Sequence, residues 1–201
     1  MQLVLMGTSE FAVTTLEALV SSEHNLSGVV TQPDRESGRG QKLTPSAVKK
    51  AALAHELSIY QPERVRDVAF IQLLNQLNPD AIVLAAYGQI LPSPVLDIPP
   101  YGFINIHPSL LPKYRGAAPI QRAIINGERT TGVTIMLMDE GEDTGDIILQ
   151  KEVEIFADDT AITLHDKLAQ IAADLLLEAL TSAKNGTPPH YPQNELDATY
   201  A

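Results

Sequence analysis

The sequence predicts an α/β fold with a mostly parallel sheet and helices on both faces. Two observations support this prediction. Short apolar runs of strand length alternate along the chain with segments of helical period. Several of these runs are apolar at every position, which is typical of strands covered on both faces. A length of 201 residues suits one such domain, or one domain with a tail.

The predicted strands are apolar runs that end at a glycine, a proline or a polar residue. They cover residues 3–6, 27–31, 81–86, 103–107 and 132–138. Between residues 32 and 44 the chain carries glycines and charges without an apolar period, which predicts a loop.

The predicted helices are marked by apolar spacing and by capping residues. One follows the first strand and presents Phe11, Leu16 and Leu19, and another starts near Pro45 with Ser46 or Thr44 as its cap. The last helix has apolar residues at helical spacing, begins at Asp159 or Thr160 and ends at residues 185–186. Its apolar positions are Leu164, Leu168, Ile171, Leu175 and Ala179.

The composition changes after Gly186. Pro188, Pro189 and Pro192 lie among polar residues and no apolar period is present. We therefore predict a domain over residues 1–186 and a linker over 187–201 that leads to a C-terminal domain absent from this chain.

The amino-acid composition limits the kinds of functional site that the chain can carry and indicates its cellular compartment. The chain has no cysteine, which excludes disulfides, thiolate metal sites and cysteine nucleophiles and fits the reducing cytoplasm. Neither a signal peptide nor a membrane span is predicted. The net charge of −11 argues against nucleic acid, yet residues 34–50 are locally basic. Their cationic side chains are Arg35, Arg39, Lys42, Lys49 and Lys50.

Two polar side chains lie at the end of one predicted strand. Asn105 and His107 are two residues apart, so they point to the same face. Pro108 lacks an N–H and ends the strand there. The carboxyl ends of strands are where open α/β sheets bind ligands. A hydrogen-bonded pair at a strand end is the structural alternative.

A run of acidic residues follows the strand predicted over 132–138. Residues 139–146 read DEGEDTGD, which suits a solvated loop or a hard-cation site. Their spacing does not match a calcium loop, and we predict no metal. Ser109 lacks a nucleophile-elbow motif, which disfavours it as a nucleophile.

Taken together, these motifs resemble the signature of the folate-dependent formyltransferases. The resemblance rests on NIHPSLLP at residues 105–112 and on DTG at residues 143–145 beyond a further strand. It extends over nearly the whole chain, because other family motifs keep their order. They are GTSEF at residues 7–11, QPDR at 32–35, AYG at 86–88 and RGAAPIQ at 115–121.

The resemblance implies a Rossmann-like fold and formyl transfer from 10-formyltetrahydrofolate, which acts as a co-substrate, without a metal. It assigns catalysis to Asn105, His107 and Asp143. It also implies a set of folate contacts. These fall on Ser109, Leu110, Leu111, Pro112, Tyr87, Gly88, Ile90 and Leu91.

The acceptor amine is a separate question. The segments 32–45 and 115–122 resemble the branch of the family whose acceptor is initiator methionyl-tRNA, with Arg39 and Lys42 as tRNA contacts. Glycinamide ribonucleotide, a sugar-nucleotide amine, or water in a formyltetrahydrofolate hydrolase remain alternatives. A non-catalytic ligand-binding domain is the alternative from another class.

Overall fold

The computed structural model describes residues 1–37, 42–183 and 188–201. The chain forms two compact units, residues 1–100 and 101–201.

The first unit is built on parallel strands. Its strands pair in the order β5-β2-β1-β6, and all of these pairs are parallel. They are β1 (Gln2–Gly7), β2 (Asn25–Val30), β5 (Ile59–Tyr60) and β6 (Ala81–Ala85). Residues 3–6 of β1 and 81–83 of β6 are fully buried, as predicted for strands covered on both faces. The predicted α/β class is therefore confirmed.

Helices connect and cover these strands. They are α1 (Glu10–Val20), α2 (Ala47–Ala54), α3 (Val68–Leu77) and α4 (Ser93–Leu96). Helix α1 buries Phe11, Leu16 and Leu19, the positions that the spacing indicated. The hydroxyl of Ser46 caps α2 by accepting a hydrogen bond from the Lys49 backbone N–H at 3.0 Å.

The segment predicted as a loop contains a short hairpin. Strands β3 (Arg35–Ser37) and β4 (Lys42–Thr44) pair in antiparallel register, with Arg35 opposite Thr44. The loop prediction was therefore wrong for these residues. Three-residue strands are too short for an alternating apolar pattern to appear in the sequence.

The second unit carries an antiparallel part of the fold. Strands β7 (Phe103–His107), β8 (Thr130–Leu137) and β9 (Ile147–Glu154) pair in that order, each antiparallel to the next. Strand β9 was not predicted, because its charged residues Lys151, Glu152 and Glu154 conceal the apolar start. A loop of residues 138–146 joins β8 to β9 without a crossover helix, so the two strands must run in opposite directions.

Helices α5 (Pro119–Ile125) and α6 (Ala161–Ser182) complete this unit. Helix α6 begins after Thr160, one of the two predicted caps, and Thr160 and Thr163 form a reciprocal capping box. Its predicted apolar face is buried at Leu164, Leu168 and Ala179. The predicted stop at residues 185–186 lies outside the described residues.

The last described segment, residues 188–201, belongs to the second unit. Tyr191 forms an antiparallel bridge with Ile147, and Tyr200 forms a parallel bridge with Arg115. A short 3₁₀ helix lies at Glu195–Asp197. The domain over 1–186 and the linker to a further domain stay predictions, and the boundary at 186 is outside the described part of the chain.

Within the described residues, no helix combines the length and the apolar character needed to cross a membrane.

We expect Asp159→Asn to destabilise the protein at neutral pH. The Lys167 ammonium, the Phe156 N–H and the Thr163 hydroxyl all donate to Asp159 and lower the pKa of its carboxyl from 3.8 to about 2. A lowered pKa stabilises the folded state above 3.8, and this contribution is lost as the pH falls through about 2. The difference in the free energy of unfolding between parent and variant should therefore shrink as the pH falls below 3.8.

Urea unfolding at a series of pH values measures this difference. The exposed neighbour Asp158 provides a matched control as Asp158→Asn. A pH-independent difference for Asp159→Asn would contradict the explanation from the carboxylate.

Candidate active site

Strand β7 positions two of the predicted site residues. Asn105 lies opposite Met136 of β8 and His107 opposite Thr134. Both are buried, with 7% and 4% of their surface exposed. The strand ends at His107, immediately before Pro108, as the sequence predicts. Their side chains leave the same face of the strand at its carboxyl end.

The loop between β8 and β9 supplies the third residue, Asp143. This residue has a left-handed backbone with φ of 53°, which aspartate tolerates better than most residues. At Gly145 a Cβ atom would lie 1.9 Å from the carbonyl oxygen of Leu137, so only glycine fits there. The Leu137 N–H donates to the Asp146 carbonyl at 2.9 Å and closes the loop.

The three predicted catalytic side chains meet at the Asp143 carboxylate. Asn105 Nδ2 donates to Oδ1 at 3.3 Å, and His107 Nδ1 lies 3.4 Å from Oδ2. The backbone N–H of Gly116 also donates to Oδ2, at 2.9 Å. The carboxylate is 15% exposed, so it is sheltered but still open to solvent on one side.

The hydrogen bonds of His107 define its tautomer. Its Nε2 lies 2.8 Å from the carbonyl oxygen of Tyr114. A carbonyl only accepts, so Nε2 carries a proton. A proton added at Nδ1 would face the Asp143 carboxylate. The Asp143 carboxylate is therefore an anionic hydrogen-bond partner for a proton on Nδ1.

Residues 109–112, which the resemblance assigns to folate, are tied to the neighbouring strands. The Leu111 N–H donates to the Thr134 hydroxyl at 3.1 Å, and Gln150 Nε2 donates to the Leu111 carbonyl at 2.8 Å. The peptide bond between Leu111 and Pro112 is cis. The Ser109 hydroxyl donates to the Lys113 carbonyl at 2.6 Å, which ties the two ends of this turn together.

The other predicted folate contacts lie in the first unit, after β6. Tyr87 and Leu91 are buried, whereas Ile90 is 90% exposed. Gly88 has φ of 87°, a conformation that favours glycine. The Tyr87 carbonyl accepts hydrogen bonds from the Thr8 hydroxyl and the Gln32 amide at 3.0 and 3.2 Å. Folate binding by these residues and by 109–112 stays a prediction.

The predicted tRNA contacts are only partly described. Lys42 is exposed and begins β4, so its ammonium is accessible. Arg39 lies outside the described residues.

Among the described residues, no group of three or more histidine, aspartate or glutamate side chains is arranged to hold a metal ion. This includes the acidic residues 139–146, where Asp139 accepts instead from the Gly141 N–H and the Thr144 hydroxyl.

Asp143 is surrounded by contacts that the sequence did not indicate. Gln193 donates to its backbone carbonyl, and Arg115, which precedes Gly116, is fully buried against Gln193 and Glu195. Nothing in the proline-rich composition of residues 187–201 marked Gln193. The signal available in retrospect was a set of hydrogen-bonding side chains at Gln193, Asn194 and Glu195, close to the end of the chain.

The α/β fold carries an asparagine, a histidine and an aspartate that meet beside β7. The chain belongs to the formyl transferase family, because the family model described as "Formyl transferase" matches residues 1–180.

One curated relative matches the chain over its full length. The chain is 52% identical over 201 residues to methionyl-tRNA formyltransferase of Alkaliphilus metalliredigens, covering 100% of this chain and 64% of that protein. It therefore spans less than two thirds of this relative's length.

Solved structures share the fold. Phosphoribosylglycinamide formyltransferase from Bacillus halodurans superposes with a TM-score of 0.75 at 27% identity, covering 91% of this chain and 97% of that one. An N-formyltransferase from Helicobacter canadensis, in complex with folinic acid and dTDP-3-aminofucose, has a TM-score of 0.73 at 23% identity. That match covers 100% of this chain and 70% of the other.

Proposed function

We propose that the chain transfers the formyl group of 10-formyltetrahydrofolate to the amino group of initiator methionyl-tRNA. The observation that carries the proposal is the convergence of Asn105 and His107 on the Asp143 carboxylate. The 52% identity to a methionyl-tRNA formyltransferase supports the choice of acceptor. The folate complex of the Helicobacter canadensis relative supports the choice of donor.

The reaction is an acyl transfer through a tetrahedral intermediate. The acceptor nitrogen forms a bond to the formyl carbon, and the formyl oxygen becomes an oxyanion. The bond between that carbon and N10 of the folate then breaks, N10 gains a proton and the acceptor nitrogen loses one. An α-amine has a pKa of about 7.7–8.0, so a useful fraction is neutral and ready to attack.

Asn105 stabilises the developing oxyanion in this proposal. Its amide has two N–H donors, and Asp143 accepts from that amide at 3.3 Å. The other N–H is suited to a developing negative charge, for which preorganised donors are the most effective groups.

Asp143 and His107 handle the protons. The carboxylate accepts the acceptor's proton, directly or through a water molecule. The imidazolium form of His107 supports the oxyanion by its charge and supplies a proton for N10 through Nδ1, the ring nitrogen that faces Asp143. No step requires a metal.

The assignment of the acceptor rests on the relatives and on the basic segment. We place the reaction in translation initiation in the cytoplasm, which the cysteine-free sequence fits.

A turnover assay with 10-formyltetrahydrofolate tests the proposal. Methionyl-tRNA, glycinamide ribonucleotide and a sugar-nucleotide amine are offered in parallel, with a no-acceptor control. Formylation of methionyl-tRNA alone is the expected result. Transfer to either other amine would keep the chemistry and replace the acceptor, whereas formate release in the control would identify a hydrolase.

We expect Arg39→Ala and Lys42→Ala each to weaken methionyl-tRNA binding and leave folate affinity unchanged. Each lost phosphate contact reduces the slope of log affinity against log salt by about 1. Binding titrations over a range of salt concentrations measure this slope. Lys151→Ala, an exposed lysine on β9, is the matched control. If both variants kept the parent's slope of log affinity against log salt concentration, the basic segment would not be part of the tRNA interface.

A further inference from the structure

Gln193 uses its whole hydrogen-bonding capacity on residues around Asp143. Its Nε2 donates to the backbone carbonyls of Asp143 and Gly145, both at 2.8 Å. Its Oε1 accepts from Nε and Nη2 of Arg115, at 3.1 and 2.8 Å. A glutamine amide offers two N–H donors and one oxygen with two lone pairs, so all of these are occupied.

Arg115 completes the link to the Asp143 side chain. It is fully buried, and its guanidinium makes a bidentate ion pair with Glu195 at 3.0 and 2.7 Å. This pairing raises the pKa of Arg115 and lowers that of Glu195. The next residue, Gly116, donates its N–H to Asp143 Oδ2. Gln193 therefore connects the backbone of Asp143 to the peptide that holds its carboxylate.

The same segment also holds the partner of His107. The Thr199 hydroxyl accepts from the Tyr114 N–H at 2.9 Å, and the Thr199 N–H donates to the Pro112 carbonyl at 3.1 Å. Tyr114 in turn presents its carbonyl to His107 Nε2. The Arg115 N–H, which belongs to the same peptide group as the Tyr114 carbonyl, donates to the Thr199 carbonyl at 2.9 Å, so Thr199 fixes the peptide that orients the His107 ring.

Two of the residues held in this way have unfavourable backbone conformations. Asp143 and Tyr114 have φ of 53° and 62°, which costs free energy for side chains other than glycine. Such conformations persist only where surrounding contacts fix them. Gln193 and Thr199 supply those contacts from residues 188–201.

We propose that Gln193 and Thr199 hold the active site in place and that Gln193 is the positioning residue for Asp143. The kinetic consequence rests on the proposed function. Loss of the two donors of Gln193 allows the turn at Asp143 to shift, and a displacement of about 1 Å costs up to roughly 10²-fold in rate. The effect falls on kcat, because Gln193 contacts Asp143 and Arg115 rather than the predicted folate-binding residues.

Two variants of the full chain separate the contacts. Gln193→Met keeps the shape of the side chain and removes every hydrogen bond, whereas Gln193→Glu keeps an acceptor for Arg115 and loses the donors to Asp143 and Gly145. Leu196→Ala, at a side chain that is 94% exposed in the same segment, is the control. We expect both Gln193 variants to lower kcat by roughly 10- to 100-fold with KM for the formyl donor within about twofold. Leu196→Ala should match the parent.

A measurement that needs no turnover tests the positioning itself. The Nε2 proton of His107 is held by the Tyr114 carbonyl, and Nδ1 faces Asp143, so the ring ¹⁵N and ¹H NMR signals report both contacts. We expect both Gln193 variants to shift the Nδ1 signal, and Leu196→Ala to leave it in place. If the parent transfers no formyl group, the proposed function fails, and the NMR comparison still decides the positioning role.

Two results would overturn the positioning role. One is parent-like kcat and parent-like His107 signals in Gln193→Glu. The other is a loss of kcat in Gln193→Met that disappears when activity is normalised to the folded fraction measured by thermal unfolding.

Discussion

Asn105→Ala should lower kcat by about 10²–10³ while the protein keeps its fold. The buried amide lies at the carboxyl end of β7 and donates one N–H to Asp143. Alanine removes the second N–H, which the proposed mechanism assigns to the oxyanion. The expected loss is that of a preorganised donor, and it appears in kcat because the charge is absent from the bound substrate and develops in the transition state that leads to the tetrahedral intermediate.

A second substitution at Asn105 separates the loss of its N–H donors from the loss of side-chain volume. Asn105→Asp keeps the size of the side chain, removes both N–H donors and places a carboxylate beside Asp143. It should therefore lose at least as much kcat as Asn105→Ala. Asn25→Ala, at an exposed asparagine of β2, is the control. Near-parent turnover in either Asn105 variant would remove this residue from the mechanism.

The elements that carry Asn105 and His107 were predictable because local rules fix them. Strand β7 coincides with the predicted residues, since most of its positions are apolar and Pro108 cannot extend a ladder. The two-residue spacing then places both side chains on one face. Helix α6 was equally well marked, because its cap and its apolar face agree.

The position of Asp143 was not predictable from local rules. Its approach to Asn105 and His107 depends on the path of residues 138–146, on the antiparallel return of β9 and on the N–H of Gly116. The residues alone indicated a solvated acidic loop, and only the resemblance to the family assigned Asp143 a catalytic role.

The contacts of residues 188–201 could not be predicted from the sequence, for a related reason. Proline-rich polar segments bury little apolar surface, and their composition resembles that of a linker. Here hydrogen bonds and the ion pair between Arg115 and Glu195 hold the segment, chiefly through the buried Arg115. Such contacts depend on tertiary placement and leave no periodic pattern in the sequence.

Asp143→Asn should lower kcat by about 10²–10⁴, the range for a general acid–base group. The two carboxylate oxygens accept separately, Oδ1 from Asn105 and Oδ2 from Gly116. An asparagine offers only one oxygen, so its NH₂ group must face one of these donors. The variant also deprives His107 of its anionic partner and the acceptor's proton of its destination. Steady-state kinetics with a saturating formyl donor measure the loss.

Asp139→Asn in the same loop separates this chemical effect from loop disruption. The Gly141 N–H and the Thr144 hydroxyl both donate to one oxygen of Asp139, so an asparagine can keep both hydrogen bonds. This control should retain kcat near that of the parent. If the two variants lost activity equally, the loop's shape would explain the effect. If Asp143→Asn retained parent-like turnover, the proton would have another acceptor, and Asp143 would serve only to hold Asn105 and His107 in place.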